Sequence, residues 1–319
     1  MEGIGILKAA HYLPSKINTN ADVCENIFGL TEDWIILKTG IKKRHHVQYS
    51  DTCGLMAREV ALRLIEETDP RLIGLIIVCS FSQDYMLPPM SALIHYDIAA
   101  SKHCQIMDIN VNCVGLITGT TIAVERMLCN DEIDYALVIG AEILSRFVDK
   151  TDKFTAPFFS DGASGVLLGR VDNGALTLPK KAGFIHSKFC TDSSVYESVR
   201  LKRRGFIEHN GKATWNQAIT NLPYVVNGVI YEAGFKPEEI DFFIFHQANE
   251  VLIHYIMDKM KIPREKTYTN VAEIGNTGAA SIGIALSEAM EKGLIKEGSL
   301  LVMAGVGAGF NFGANLWRM

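Results

Sequence analysis

The segment Asp108–Val124, DINVNCVGLITGTTIAV, decides how the rest of the chain is read. Ile109 and Val111 alternate with polar neighbours, as at the end of a buried strand. Asn112-Cys113 comes next, followed by the small and β-branched residues Gly115, Thr118, Gly119, Thr120, Thr121 and Ala123. The stretch predicts a strand, a sharp turn, and a tightly packed helix with Cys113 at its start. A helix N-terminus presents unpaired N–H groups and a partial positive charge. A thiol placed there is expected to have its pKa lowered and to act as a nucleophile. Taken alone, the pattern also fits a buried structural cysteine.

The same plan occurs twice. VNCVGLITGTTIAVERML, a loop and DYALVIGAE parallel EIGNTGAASIGIALSEAM, a loop and SLLVMAGVG; LIGLIIVCS likewise parallels EIDFFIFHQ. Further strands are predicted over 4–10, 72–80, 135–140, 165–169, 240–245 and 300–305. Helices are predicted over 20–29, 31–38, 52–67, 214–233 and 250–260, and from Pro88-Pro89 to about residue 100. Strands alternating with helices imply parallel-dominated α/β sheets with right-handed crossovers. Their duplication implies a five-layered α/β/α/β/α body. The polar VDNG at 171–174 divides it into halves 1–173 and 174–319, with the active site at the seam.

Composition narrows the functional classes. The 319 residues are 48% hydrophobic and 21% charged, as in ordinary globular proteins, and the net charge of -5 offers nothing to nucleic acid or an anionic membrane. Seven cysteines are scattered without a CxxC pair, which argues against a disulfide framework or a structural zinc site and for a reducing cytoplasm. The N-terminus carries Lys8 inside its apolar run and lacks a signal-peptide core. The most apolar segments are too short to span a bilayer.

Three further stretches carry chemistry. His246 directly follows the strand DFFIF, at the strand end where open α/β sheets place ligands. It also fits a hydrogen-bonded structural histidine. Asn276, in GNTGAAS, is either a helix cap or left-handed turn residue, or a side chain presented at the second turn into a helix. GVGAGF at 305–310 is either a plain turn or a loop bringing backbone N–H groups to an oxyanion.

These stretches, with EDWIILKTGIKKRH at 32–45, FFSDGASGVLL at 158–168, FHQAN at 245–249 and the terminal FNFGANL, resemble the β-ketoacyl-acyl-carrier-protein synthase III family of thiolase-like condensing enzymes. The resemblance runs along essentially the whole chain. It implies a duplicated thiolase-like fold, a homodimer, and acyl-coenzyme A and a malonyl thioester as substrates, with no cofactor and no metal. By the resemblance Cys113 takes the acyl group, while His246 and Asn276 hold the malonyl thioester carbonyl during loss of CO2. The backbone N–H groups of Cys113 and Ala308 form the oxyanion hole. Trp34, Lys38 and Lys153 meet coenzyme A, Asn249 belongs to the substrate-binding set, and Leu87 reaches the partner's acyl pocket. An acyl carrier protein is the implied carrier.

This chain departs from the family pattern in several places. Asn112 and Val114 stand where small residues are usual, and Ala308 replaces a glycine. Lys38 and Lys153 replace arginines, and Val251 stands at a carrier-docking arginine, with Lys259 and Lys261 nearby. Leu87 replaces a phenylalanine, which suggests room for medium-length acyl chains. The Lys202-Arg203-Arg204 run reads as a solvated loop. The alternatives are a non-decarboxylating acyltransferase, which does not need both His246 and Asn276; a cysteine hydrolase with a papain-like set; and a silent subunit, which would have lost Cys, His or Asn.

Overall fold

The computed structural model describes residues 2–172 and 182–319. The chain begins with β1 (Glu2–Tyr12), β2 (Lys16–Thr19), α1 (Asn20–Cys24), α2 (Glu32–Thr39) and β3 (Lys43–His46). There follow α3 (Cys53–Leu64), β4 (Ile73–Cys79), α4 (Met90–Asp97), β5 (Gln105–Ile109) and α5 (Gly115–Cys129). β6 (Tyr135–Ile143) and β7 (Asp161–Asp172) end the first part. The second contributes β8 (Gly183–Thr191), β9 (Val199–Leu201), β10 (Ile207–His209), α6 (Gly211–Glu232) and β11 (Phe242–Phe245). α7 (Glu250–Met260), α8 (Val271–Ile274), α9 (Ser281–Glu291), β12 (Leu300–Gly307) and β13 (Asn311–Arg318) complete it.

Two sheets form the frame, one ordered β1-β7-β6-β4-β5 and the other β11-β12-β13-β8. The expected boundary between residues 173 and 174 lies outside the described residues. The expectation of parallel-dominated sheets is corrected. β4 pairs in parallel with β5 and β6, and β11 with β12, but β1–β7, β6–β7, β12–β13 and β13–β8 are antiparallel. Parallel pairing needs a crossover of a dozen or more residues. Only three residues join β12 to β13, so that pair closes as a hairpin. β13 went unpredicted because NFGANLWR is buried along most of its length and shows no two-residue alternation, and β8 because GFIHSKFCT is half-buried along most of its length, again without alternation.

Side-chain alternation along the strands sets the layers. In β4, Leu75, Ile77 and Cys79 pack with Leu116 and Val124 of α5, Ile282 and Leu286 of α9, and Leu301 and Met303 of the other sheet. Ile76 and Val78 point the opposite way, onto α3 and α4. On the far side, Phe243 and Phe245 of β11 pack on α6 and α7. The order is therefore α3/α4, sheet, α5/α9, sheet, α6/α7, the thiolase-like α/β/α/β/α arrangement. α5 and α9 are pressed between sheets, which explains their small residues. A Cβ on Gly119 would come within 2.7 Å of the Val138 side chain and 2.8 Å of the Cys79 sulfur. Among the described residues no helix is long and apolar enough to cross a membrane.

Candidate active site

The two central helices both begin beside the seam, and a cavity of about 640 Å³ opens there. Cys113, His246, Asn276 and Ala308 all line it. The duplicated turns therefore bring together residues up to 195 positions apart in sequence.

Cys113 sits in a short 3-10 turn, Asn112–Val114, and α5 proper starts at Gly115. Asp108 ties the preceding strand to α4 by accepting from Met90 N–H (2.5 Å) and Ser91 N–H (2.9 Å). The expected lowering of the Cys113 pKa is corrected. Burial, and after it the charge of Glu142, push the thiol up to about 12, and only its own backbone N–H opposes them. The helix terminus offers only a partial charge, whereas loss of hydration acts directly on the sulfur. With no substrate bound, this is a protonated thiol.

His246 follows β11, with its N–H bonded to the Ala304 carbonyl at 2.8 Å. Nδ1 lies 2.5 Å from Ser281 Oγ, and that oxygen accepts from the Gln247 N–H at 3.2 Å. The hydroxyl is thus free to donate to Nδ1, which assigns the ring proton to Nε2. Burial lowers the imidazole pKa to about 4, so the ring is a neutral donor at physiological pH.

Asn276 is held on three sides. Its Oδ1 accepts from Gly278 N–H at 2.9 Å, its N–H donates to the Phe158 carbonyl at 2.9 Å, and its carbonyl accepts from Ser160 N–H at 2.9 Å. The oxygen of the side chain is engaged, so the amide NH2 is what remains to present.

This arrangement explains two motifs that the sequence left without a task. FFSD pairs with the Asn276 turn, and Asp161 accepts from Val47 N–H (2.8 Å), Ser145 N–H (2.8 Å) and Ser145 Oγ (2.6 Å). In TGIKKRH, Lys42 N–H donates to the Ala272 carbonyl at 2.7 Å. The buried Arg44 donates to the Pro157 carbonyl and to Asn20 Oδ1. Gly275, at φ +83°, has Ser160 Cβ and the Arg44 stem 3.0 and 3.1 Å from where a side chain would begin. Both motifs brace Asn276.

The expected substrate contacts divide. Trp34 and the exposed Lys38 line the cavity. Asn249 lines it too, but its side chain caps α7 through Leu252 N–H (3.0 Å) and donates to the Lys38 carbonyl (2.9 Å), joining α2 to α7. Lys153 is absent from the wall; its ammonium lies 5.1 Å from the ring centroid of Phe154, which is in the wall. Leu87 is 81% exposed, beside exposed Tyr85 and Met86, and is also absent from the wall. Ala308 replaces a glycine without a left-handed backbone, since the positive φ falls on Gly309.

Sequence reasoning missed Ser281, Glu142 and the aromatic wall of Phe154, Phe158, Trp215 and His209. A signal for Glu142 was present: it is the one charged residue in YALVIGAEIL. It is fully buried, accepts from Ser82 Oγ, Phe81 N–H (3.3 Å) and Ser80 Oγ (3.4 Å), and burial raises its pKa to about 8. A carboxyl raised above its unfolded value of 4.5 favours folding below that value, and loses the contribution as pH rises toward about 8. Glu142→Gln, which keeps an acceptor, is therefore expected to flatten the decline of the urea midpoint between about pH 5 and pH 8. An unchanged decline would mean another group titrates there.

Comparison with known proteins agrees with this architecture. The family model described as 3-Oxoacyl-[acyl-carrier-protein (ACP)] synthase III matches residues 107–193, and its C-terminal counterpart matches residues 230–319. The chain is 33% identical to the beta-ketoacyl-[acyl-carrier-protein] synthase III of Aquifex aeolicus (strain VF5), covering 99% of each chain. It is 30% identical to that of Neorickettsia sennetsu, covering 100% of each. The Aquifex aeolicus crystal structure superposes with a TM-score of 0.91 at 32% identity, over 99% of this chain and 100% of that one. These similarities, with a five-layered fold whose two equivalent turns meet at one cavity, show that the chain belongs to the β-ketoacyl-acyl-carrier-protein synthase III family of decarboxylating condensing enzymes.

Proposed function

We propose that the cavity performs a two-stage condensation with the roles divided between its two turns. The observation that carries this is the meeting of Cys113, a neutral His246, the Asn276 amide and the Ala308 loop on one wall. In the first stage the Cys113 sulfur attacks the carbonyl of an acyl-coenzyme A. Its proton ends on the sulfur of coenzyme A, which leaves, and an acyl-Cys113 thioester remains. The Cys113 and Ala308 N–H groups receive the transient oxyanion. Because the resting thiol is protonated, approach of the thioester has to be coupled to movement of that proton.

In the second stage the carboxylate of a malonyl thioester departs as CO2 and its bonding electrons form an enolate. His246 Nε2–H and the Asn276 NH2 donate to the enolate oxygen. Neutral donors suit this task, since they stabilise the charge without protonating the carbon. That carbon attacks acyl-Cys113, and the tetrahedral intermediate collapses to a β-ketoacyl product, returning Cys113 with a proton from solvent.

Trp34 would stack on the adenine of coenzyme A. Lys38 and Lys212, both exposed in the cavity wall, together with Lys153 beside the wall residue Phe154, are the cations placed for its phosphates. Lysine supplies charge without the bidentate fork of arginine. The exposed Tyr85-Met86-Leu87 segment fits a homodimer in which Leu87 bounds the partner's acyl pocket. An acyl carrier protein is the proposed malonyl carrier, the substrates suffice without a cofactor, and seven unpaired cysteines suit the cytoplasm.

The test is malonyl-dependent release of CO2 with acetyl-, hexanoyl- and octanoyl-coenzyme A as donors. Stoichiometric CO2 and β-ketoacyl product are expected, with hexanoyl used at least as well as acetyl. Acyl transfer without CO2 would instead establish the non-decarboxylating acyltransferase. A preference for acetyl that Leu87→Phe leaves unaltered would refute the role of Leu87.

A further inference from the structure

Asn112, which precedes the reactive cysteine, has φ +53°. That region is costly for most side chains and is entered most readily by glycine and then asparagine or aspartate. Backbone conformation alone would thus be served by glycine. The side chain has a use of its own: its Nδ2 donates to the Ala308 carbonyl at 3.2 Å, across 196 positions of sequence. The amide orientation follows from the partner, because Oδ1 in that place would face another carbonyl oxygen.

The loop that receives this bond is anchored on both sides and not at its tip. On one side β12 pairs with β13 up to Gly307–Asn311. On the other, Phe310 exchanges two backbone bonds with Asp192, at 2.9 and 3.0 Å. Ala308 and Gly309 lie between, and Gly309 has φ +133°. Against this tip sits the cysteine turn: a Cβ on Gly307 would lie 3.1 Å from the Val111 carbonyl oxygen, 3.4 Å from Cys113 N and 3.5 Å from Asn112 Cβ. The two N–H groups assigned to the oxyanion belong to different turns, and they act together only while the turns hold a fixed separation.

We propose that Asn112 is a positioning residue that clamps the glycine loop to the cysteine turn and so sets the oxyanion hole. The proposal rests on the reading of Cys113 and Ala308 given above. It predicts an effect confined to steps that build a tetrahedral oxyanion.

Two variants separate the side chain from the backbone. Asn112→Gly keeps access to positive φ without the amide, and Asn112→Asp keeps shape and conformational tolerance while turning the donor into an acceptor. Each is compared with the wild-type full-length protein in two reactions at Cys113, followed site by site by mass spectrometry. Acylation by acyl-coenzyme A builds an oxyanion; alkylation by iodoacetamide is a direct displacement that builds none. Both variants are expected to acylate about three- to tenfold more slowly, the size of one lost hydrogen bond, with KM for the acyl donor unchanged. The alkylation rate of Asn112→Gly should match the wild type, while Asn112→Asp, whose carboxylate beside the sulfur also raises the thiol pKa, should lose more acylation than alkylation. Equal slowing of both reactions would place the effect on the thiol or the fold of the turn and overturn the proposal, as would full-rate acylation by both variants. If the wild type alkylates at Cys113 but never acylates there, the underlying reading fails instead.

Discussion

Replacing Cys113 with alanine is expected to abolish formation of the acyl-enzyme and to lower condensation on the order of 10⁴-fold or more, as loss of a covalent nucleophile does elsewhere. Access singles out Cys113 among the seven cysteines. Cys53 and Cys79 are completely buried, and burial raises both their thiols well above the usual range. None of Cys24, Cys104, Cys129 and Cys190 contributes to the cavity wall, whereas Cys113 does. Incubation with acyl-coenzyme A should therefore give one adduct, on the peptide containing Cys113. The alanine variant should give none while keeping the wild-type unfolding midpoint, because its side chain is replaced by one of similar bulk less a sulfur. An acyl adduct that persists in Cys113→Ala would transfer the role to another residue.

The second large effect concerns the other turn. His246→Ala and Asn276→Ala are each expected to slow malonyl decarboxylation about 100- to 1000-fold, the usual consequence of deleting one oxyanion donor. Acylation of Cys113 should fall much less in the same variants, since that step uses the opposite pair of N–H groups. Asn276→Ala also removes the acceptor for Gly278 N–H, so Asn276→Asp, which retains it, is the sharper comparison. The pH dependence follows from the histidine. With its pKa lowered to about 4, His246 is neutral above that value, so decarboxylation should show no loss attributable to imidazole titration between about pH 5 and 8. A decarboxylation rate untouched in either variant, with acylation lost, would invert the assigned roles.

How far the chain could be read varied with the range of the interactions concerned. β4 and α5 were legible because local pattern and burial agree there: LIGLIIVCS is a strand buried on both faces, and the small residues of α5 record the sheets on either side. Helix ends drifted where the pattern outran the capping. The helix expected to Gly29 stops at Cys24, and the one expected to Glu67 stops at Leu64. The antiparallel pairs β2–β3 and β9–β10 escaped because strands of three or four residues carry too few positions to show a period. At the site, Cys113, His246 and Asn276 stood out as reactive or polar residues directly after apolar strands or at glycine-rich turns. Ser281 did not, although it orients the imidazole, since a serine opening a buried helix looks like any other capping residue.

What the sequence by itself determined is the duplicated strand-turn-helix plan, the two turns that open the central helices, and membership in a family, because these are written in local periodicity and in the order of short motifs. Which atoms those turns present was decided by the folded backbone and what packs on it. The Asn276 amide presents NH2 because Gly278 takes its oxygen, and His246 presents Nε2–H because Ser281 occupies Nδ1. The Cys113 thiol rests protonated although its local sequence argues for a thiolate. For His246 and Cys113 the physical reason is the same, whereas the Gly278 contact is local to its own turn. Hydration and hydrogen-bond partners come from residues tens to hundreds of positions away, and a sulfur at a helix start reads the field of everything packed around it, which no local pattern records.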